Sequence, residues 1–170
     1  FTVKERYDIE DLLRIMELLR SEEGCVGDRE QDHHTIRNNF IEESYEAVEA
    51  IDRDDPVLLQ EELGDVLLQV VFHARMEEEA GRFSFSDVCD GICKKLVYRH
   101  PHVFGDTAVE NSGQVLENWD RLKKAEKHQE TAASTLQAVS KALPALVRAA
   151  KVQKRAGKVG FEYPTLADAI

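Results

Sequence analysis

The chain has few of the features that would take it out of water. None of its apolar runs approaches the roughly 20 residues that a membrane-spanning helix needs. The N-terminus lacks the basic, apolar and small-residue order of a signal peptide. Those absences lead us to expect a cytoplasmic protein. Cysteine is scarce: three residues, an odd number without paired spacing, argue against a disulfide framework and fit a reducing compartment. Cys89 and Cys93 stand four apart on a helical pattern, yet no second Cys or His pair completes a zinc site, so both are read as structural. Positive charge is also short, with 22 Lys+Arg against 33 Asp+Glu and a net charge of -11. Such a field repels nucleic acid and anionic membrane alike. No segment shows the period-two alternation of a half-buried strand. The chain begins at Phe1 rather than Met, which leaves room for sequence upstream.

What remains is helix. Apolar residues make up 42% and charged residues 32% of the 170, the balance of a globular protein with one well-buried core rather than of a disordered chain. Asp8 with Asp11 reads as a reciprocal cap for a first helix carrying Ile9, Leu12, Leu13, Met16 and Leu19 and stopped by Gly24. A polar loop over 25–33 precedes a second helix over 35–52. Asp55 caps a third, with Pro56 at its first position, where a missing N–H is no loss. That helix runs to about Ala80 and Gly81. Ser84 with Asp87 opens a fourth, which must stop near His100 because Pro101 disfavours helix in the residue before it. Asn111 with Gln114 opens a fifth, containing Val115, Leu116, Trp119 and Leu122. Residues 126–140 lose their aromatic anchors and read as a linker or a surface helix. Pro144 starts a further helix over 145–156, ended by Gly157 and Gly160, and 161–170 has no partner of its own. Helices with short connections and no strands define an all-α antiparallel bundle.

Two acidic patterns stand out within it: Glu42-Glu43-Ser44-Tyr45-Glu46 and Glu61-Glu62-Leu63-Gly64-Asp65. On the second helix the core-facing stripe runs Ile36, Phe40, Glu43, Ala47, Ala50, so a carboxylate takes an apolar slot. On the third, Leu63, Val66, Leu67, Leu68, Val70, Val71 and Phe72 leave hardly any polar face, with Glu62 and Asp65 at the front. A carboxylate set against a core is costly unless it is paired, protonated or bound to metal. Residues three apart share a helix face, so Glu43 with Glu46 and Glu62 with Asp65 each form a two-carboxylate claw. If the two helices pack antiparallel, the claws meet. Four hard oxygen donors favour Mg²⁺ or Mn²⁺, whereas zinc or a di-iron centre would want His or Cys at this spacing. Glu42 and Glu61 extend both patterns as outer groups or as a base for water. Gly64 admits the close approach of a helix or ligand. The plain alternative is a solvated acidic face; it is adopted for Glu77, Glu78 and Glu79, but the stripe position of Glu43 and Glu62 counts against it.

Basic groups accompany the acidic ones. Lys95 and Arg99 stand one turn apart on the fourth helix, positioned for phosphate oxygens, although spacing by itself favours a surface pair. Trp119 is read as a core anchor or a surface for a base, with Lys123 one turn on. His100 and His102 flank Pro101 as a polar helix stop. Adjacent His33 and His34 cannot both face one ligand on regular structure.

The run Asn39-Phe40-Ile41-Glu42-Glu43-Ser44-Tyr45-Glu46, then Glu61-Glu62-Leu63-Gly64-Asp65 through Phe72, then Arg99-His100-Pro101-His102-Val103-Phe104, resembles the MazG nucleoside triphosphate pyrophosphohydrolases over 7–127. The resemblance implies a homodimer that completes the bundle across subunits, dependence on Mg²⁺ with Mn²⁺ as a substitute, and hydrolysis of nucleoside triphosphate to monophosphate and pyrophosphate in nucleotide-pool house-cleaning. It implies Glu43, Glu46, Glu62 and Asp65 as metal ligands, beside which Glu42, Glu43 and Glu61 are our candidates for catalytic carboxylates. It implies Lys95, Arg99 and Trp119 on the substrate side, and Asn39 in the matching run and Lys123 one turn beyond Trp119 are expected with them. Two departures stand beside it. Where the family often has Cys-Pro-Trp-Asp, this chain reads Cys25-Val26-Gly27-Asp28. Residues 141–161 resemble the lead-in to a second repeat whose acidic motifs are absent, so the chain divides into a catalytic domain over 1–127, a linker over 128–143 and a helical tail over 144–170. The competing function is a catalytically silent nucleotide-binding or dimerisation repeat of a larger protein.

Overall fold

The computed structural model describes residues 1–126, 131–158, 160 and 161. The start of the expected linker (128–130) and the end of the tail (162–170) lie outside the described residues. The described residues are helical and contain no strand. They form two compact units, Phe1–Ile92 and Cys93–Ile170.

The first unit is built on a helical hairpin. Helix α3 (Arg37–Asp52) turns through 53–55, where Asp54 adopts a left-handed φ of 51°, into α4 (Pro56–Glu79). Helix α1 (Ile9–Leu19) packs on α4, and a short α2 (Val26–Glu30) connects α1 towards α3. The expected caps form. The Asp8 carboxylate accepts from the Glu10 and Asp11 N–H groups while Asp11 accepts from Asp8 N–H, and Asp55 accepts from Val57 and Leu58 with Pro56 at the first helical position. Gly81 takes the left-handed φ of 68° that ends α4. Met16, Ile36, Val71, Phe72 and Met76 are the core, with Leu12, Leu13, Leu68 and Phe85 packed against it.

Helix α5 (Phe85–Arg99) begins in this unit and ends in the second. Ser84 and Asp87 exchange hydrogen bonds at its start, and His100 Nδ1 contacts the Leu96 carbonyl oxygen at 2.6 Å where it stops. The second unit continues with α6 (Pro101–Phe104), α7 (Ser112–Glu126), α8 (Ala132–Gln137) and α9 (Ala145–Gly157), of which α8 packs on α9. The Asn111 side chain caps α7 through Gln114 N–H, and Thr131 with Ser134 makes a further capping box on α8.

Several expectations need correction. The loop expected over 25–33 contains α2, which has no side-chain cap of its own and is held from outside. Arg20, whose side chain is only 8% exposed, donates to the Asp28 and Gln31 carbonyl oxygens at 2.5 and 3.2 Å. The same guanidinium grips both Glu79 oxygens at 2.9 to 3.1 Å and lies 5.3 Å over the Phe72 ring. Of the two readings of the stretch after α7, a linker or a surface helix, residues 132–137 take the helical one as α8, and Pro101 starts a helical turn of its own. The apolar run on α4 is not all interior, since Leu63 and Leu67 face solvent. Nor are Glu77 and Glu79 simply solvated. Glu77 binds Arg82 through both oxygens at 2.5 and 2.7 Å, which brings its carboxyl down to about 2.

Arg20 therefore joins the end of α1, the carbonyl end of α2 and the end of α4. Arg20→Met keeps the apolar stem but takes its donor from two carbonyls and leaves Glu79 to Arg75 alone. Equilibrium urea unfolding should show a loss of about 2–3 kcal/mol. An unchanged midpoint would mean that these contacts contribute nothing net.

Candidate metal centre

The stripe on α3 lies as its spacing requires. Ile36, Ala47 and Ala50 are buried, Phe40 is half-buried, and Glu43 occupies the half-buried position among them. Across the hairpin, Glu62 on α4 is 8% exposed and Asp65, three residues on, is half-buried. One carboxylate oxygen from each of Glu43, Glu62 and Asp65 lies within 4.8 Å of the other two. The Oε2 atom of Glu62 is sealed from solvent and has no hydrogen-bond partner among the described residues.

Three acids so close cannot all ionise freely. Burial raises the Glu43 carboxyl above its ordinary range, and the charges of Asp65, Glu46 and Glu42 add to the effect. Burial raises Glu62 as well, followed by the charges of Glu46, Asp65, Glu61 and Glu43. Glu46 is solvent-exposed and stands outside the trio that converges, yet its side chain hydrogen-bonds Glu43 and its charge is the strongest one acting on Glu62. Glu42 and Glu61 are exposed and act on the trio through charge.

An orphaned buried oxygen and two carboxyls raised by burial and by one another's charge are the features of a cluster that a cation would satisfy. The donors are hard oxygens, with no His or Cys in the group, which suits a divalent ion of the Mg²⁺ or Mn²⁺ kind over zinc. A Cβ added at Gly64, which follows Glu62 on a different side of α4, would meet nothing within 4 Å.

The substrate-side residues expected from the sequence are dispersed. Asn39 is exposed on α3 in the first unit. Lys95, Arg99, Trp119 and Lys123 belong to the second. The expected surface pair of Lys95 and Arg99 divides: Lys95 is exposed, but Arg99 is buried and bound to Glu126 through Nε and Nη2, both at 2.8 Å. The half-buried Trp119 ring has the Arg99 guanidinium 5.5 Å and the Lys123 ammonium 4.4 Å from its centroid. Arg99 is thus a structural cation in this unit, and the indole is engaged by cations.

Sequence reasoning passed over Gln69 and His73. Gln69 is 6% exposed, and its side-chain oxygen is also unpartnered. It follows Glu62 by seven residues on the same helical face, a spacing that could have marked it. His73 meets a partner forty residues away, which no local pattern announces.

A helical hairpin with a carboxylate cluster at its inner face defines a class: all-α proteins able to hold a metal ion between facing helices. Residues 31–104 match the family model of the MazG nucleotide pyrophosphohydrolase domain. The nucleoside triphosphate pyrophosphohydrolase of Escherichia coli (strain K12) is 49% identical over 159 residues, which is 93% of this chain and 60% of that one. A Thermotoga maritima relative named nucleoside triphosphate pyrophosphohydrolase/pyrophosphatase MazG is 44% identical over 154 residues, 91% of this chain and 58% of that one. Among solved structures, a mazG-related protein from Thermotoga maritima superposes with a TM-score of 0.57 at 24% identity, covering 68% of this chain and 99% of that one, and so shares the fold. The chain belongs to the MazG family. It spans about 60% of the length of these curated relatives.

The cluster sets a pH dependence whose sign can be worked out. Glu43 and Glu62 are raised above the ordinary 4.5. The folded state therefore holds protons that the unfolded chain has released. Its stability is complete below that value and is lost as pH rises through the raised ones. Metal-free Glu43→Gln should melt higher than the wild type, by a margin that grows as pH rises from about 5 to 7. Added Mg²⁺ should raise the melting temperature of the wild type more than that of the variant. A margin between the two proteins that is the same at every pH, in a wild type unmoved by Mg²⁺, would show that the carboxylates neither repel one another nor share a cation.

Proposed function

We propose that the chain is a Mg²⁺-dependent nucleoside triphosphate pyrophosphohydrolase, converting NTP or dNTP to the monophosphate and pyrophosphate. The observation that carries this reading is the convergence of Glu43, Glu62 and Asp65 within 4.8 Å on facing helices, in a chain 49% identical to a protein bearing that name. Glu43, Glu62 and Asp65 would hold the ion, with Glu46 completing the set from the exposed side. When bound, Mg²⁺ or Mn²⁺ would neutralise triphosphate charge and make a bound water more acidic.

The remaining chemistry falls to side chains. Only ionised carboxylates ligate, so binding of the ion would be coupled to release of any proton that the raised Glu43 and Glu62 carboxyls hold. Hydrolysis joins the oxygen of water to phosphorus and breaks the phosphoanhydride P–O bond, and the proton of that water needs an acceptor. Glu42 and Glu61 are the exposed carboxylates next to the trio in sequence, and we assign them that role. Asn39, Lys95, Trp119 and Lys123 are assigned to the substrate, the cations to phosphate and the indole to the base. Arg99 would reach phosphate only by releasing Glu126 and is better read as the residue that orients Trp119.

Residues 1–127 are assigned to the catalytic domain, 128–143 to the connection and 144–170 to the opening of a second repeat. Ile41, Tyr45, Val48 and Ile51 on α3 and Val57, Leu63 and Leu67 on α4 are exposed apolar side chains. A homodimer would cover such a surface. House-cleaning of the cytoplasmic nucleotide pool is the role this chemistry suits. One observation favours a silent nucleotide-binding repeat instead: Val26, 56% exposed, and Gly27 open α2, where the family resemblance led us to expect Pro-Trp.

Pyrophosphate release from a panel of NTPs and dNTPs, with and without Mg²⁺, tests the reading. Release should require the ion and fall by at least about a hundredfold in Glu43→Gln and Asp65→Asn, with circular dichroism unchanged. Full activity in both variants would remove the cluster from the mechanism. Metal-dependent nucleotide binding without release would establish the silent repeat.

A further inference from the structure

The strongest unassigned constellation lies ahead of α3. The His33 and His73 rings are 5° from parallel, with centroids 5.0 Å and Nδ1 atoms 2.7 Å apart. Two imidazoles with those separations meet edge to edge in nearly one plane. A nitrogen pair that close needs one N–H and one lone pair between them. On the far side of His33, Nε2 lies 2.6 Å from a Glu77 oxygen, an ion-pair contact off the line of a straight hydrogen bond. Arg82 holds the same carboxylate through both oxygens.

We propose that His33 and His73 form a one-proton clasp, which fastens the segment ahead of α3 to α4 while at most one of the two rings is charged and opens when both are. Glu77 stays ionised and acceptor-only, and therefore sets a proton on His33 Nε2. The two Nδ1 atoms then share a single proton. With both rings neutral, His73 donates it. With His33 charged, His33 donates it, and the Glu77 carboxylate compensates that charge. A second charge sets N–H against N–H and leaves no acceptor.

The surroundings leave His73 as the group that decides. From the segment itself come Asp32 and His34. Asp32 is lowered by the backbone N–H groups of Thr35 and His34 that it caps, then by both histidines. From α4 comes Glu77, and from the turn after it Arg82. From α3 comes Phe40, uncharged, its ring centroid 5.8 Å from that of His73. Burial lowers His73 below the ordinary 6.5, and a charge on His33 lowers it further against the opposing pull of Glu77. A lowered histidine contributes stability that is present above the ordinary value and lost as pH falls through the folded one. The clasp therefore opens on the acid side.

Opening is local. Arg20 holds the Asp28 and Gln31 carbonyls independently of the histidines, so release is confined to 32–36 and the entry to α3. That entry contains Ile36, a core residue, and leads to Phe40, one turn before Glu43.

The test uses the full chain without metal or nucleotide. Histidine ¹⁵N spectra at about pH 7.5 should show a nitrogen–nitrogen coupling through the Nδ1–H···Nδ1 bond, lost at about pH 5.5. Amide exchange over 32–36, corrected for the intrinsic rate, should quicken by about tenfold across the same interval while α1 and α4 stay protected. His73→Phe should remove that pH dependence, and His34→Asn should leave it. Absence of the coupling in the wild type at both pH values would overturn the clasp whether or not the variants fold. Exchange over 32–36 that is equally slow at both pH values would also overturn it. No arm measures hydrolysis, so the outcome is independent of the catalytic reading.

Discussion

Mutual repulsion among carboxylates at the inner face of the α3–α4 hairpin is the constraint to which the first unit is fitted. Packing the two helices against each other requires a stripe on each, and the stripes carry Glu43 on one side and Glu62 with Asp65 on the other. Nearby oxygens of like charge in a partly desolvated space cost free energy unless a proton or a cation intervenes. The raised Glu43 and Glu62 carboxyls express that cost in protons. The orphaned Glu62 oxygen expresses it in geometry. A fold that keeps such a cluster has to be held together elsewhere.

The opposite end of α4 provides that support. Glu77 and Glu79 are acids too, but each meets arginine: Arg82 on the first, Arg20 and Arg75 on the second. One helix thus presents uncompensated carboxylates at its beginning and compensated ones at its end. The contrast separates acids that a cation could satisfy from acids already satisfied by the chain. It is also why Arg20 can anchor α2, and why Glu77 remains ionised beside His33.

Much of the local structure was legible because its causes are local. The caps at Asp8, Asp55, Ser84 and Asn111 involve residues two or three apart, and the structure places those hydrogen bonds as expected. The stripe through Ile36, Phe40, Glu43, Ala47 and Ala50 follows from 3.6 residues per turn. What went unread depends on remote partners. Helix α2 has no cap within itself and rests on Arg20. Leu63 and Leu67 continue an apolar pattern yet face solvent, because periodicity names the residues able to be buried and not what covers them. Arg99 resembled a surface cation until Glu126, twenty-seven residues on, was found beside it.

The sequence by itself determined the helical class, the helix starts and the presence of carboxylates on core-facing stripes, since helix period and capping act over a few residues. Only the tertiary structure decided which carboxylates converge. It drew in Glu43, Glu62 and Asp65 and left Glu46 at the rim. It bound Arg99 to Glu126 and brought His33 onto His73. Those outcomes depend on how helices pack, on distances of a few ångströms between residues far apart in the chain, where a small rotation of one helix exchanges one partner for another.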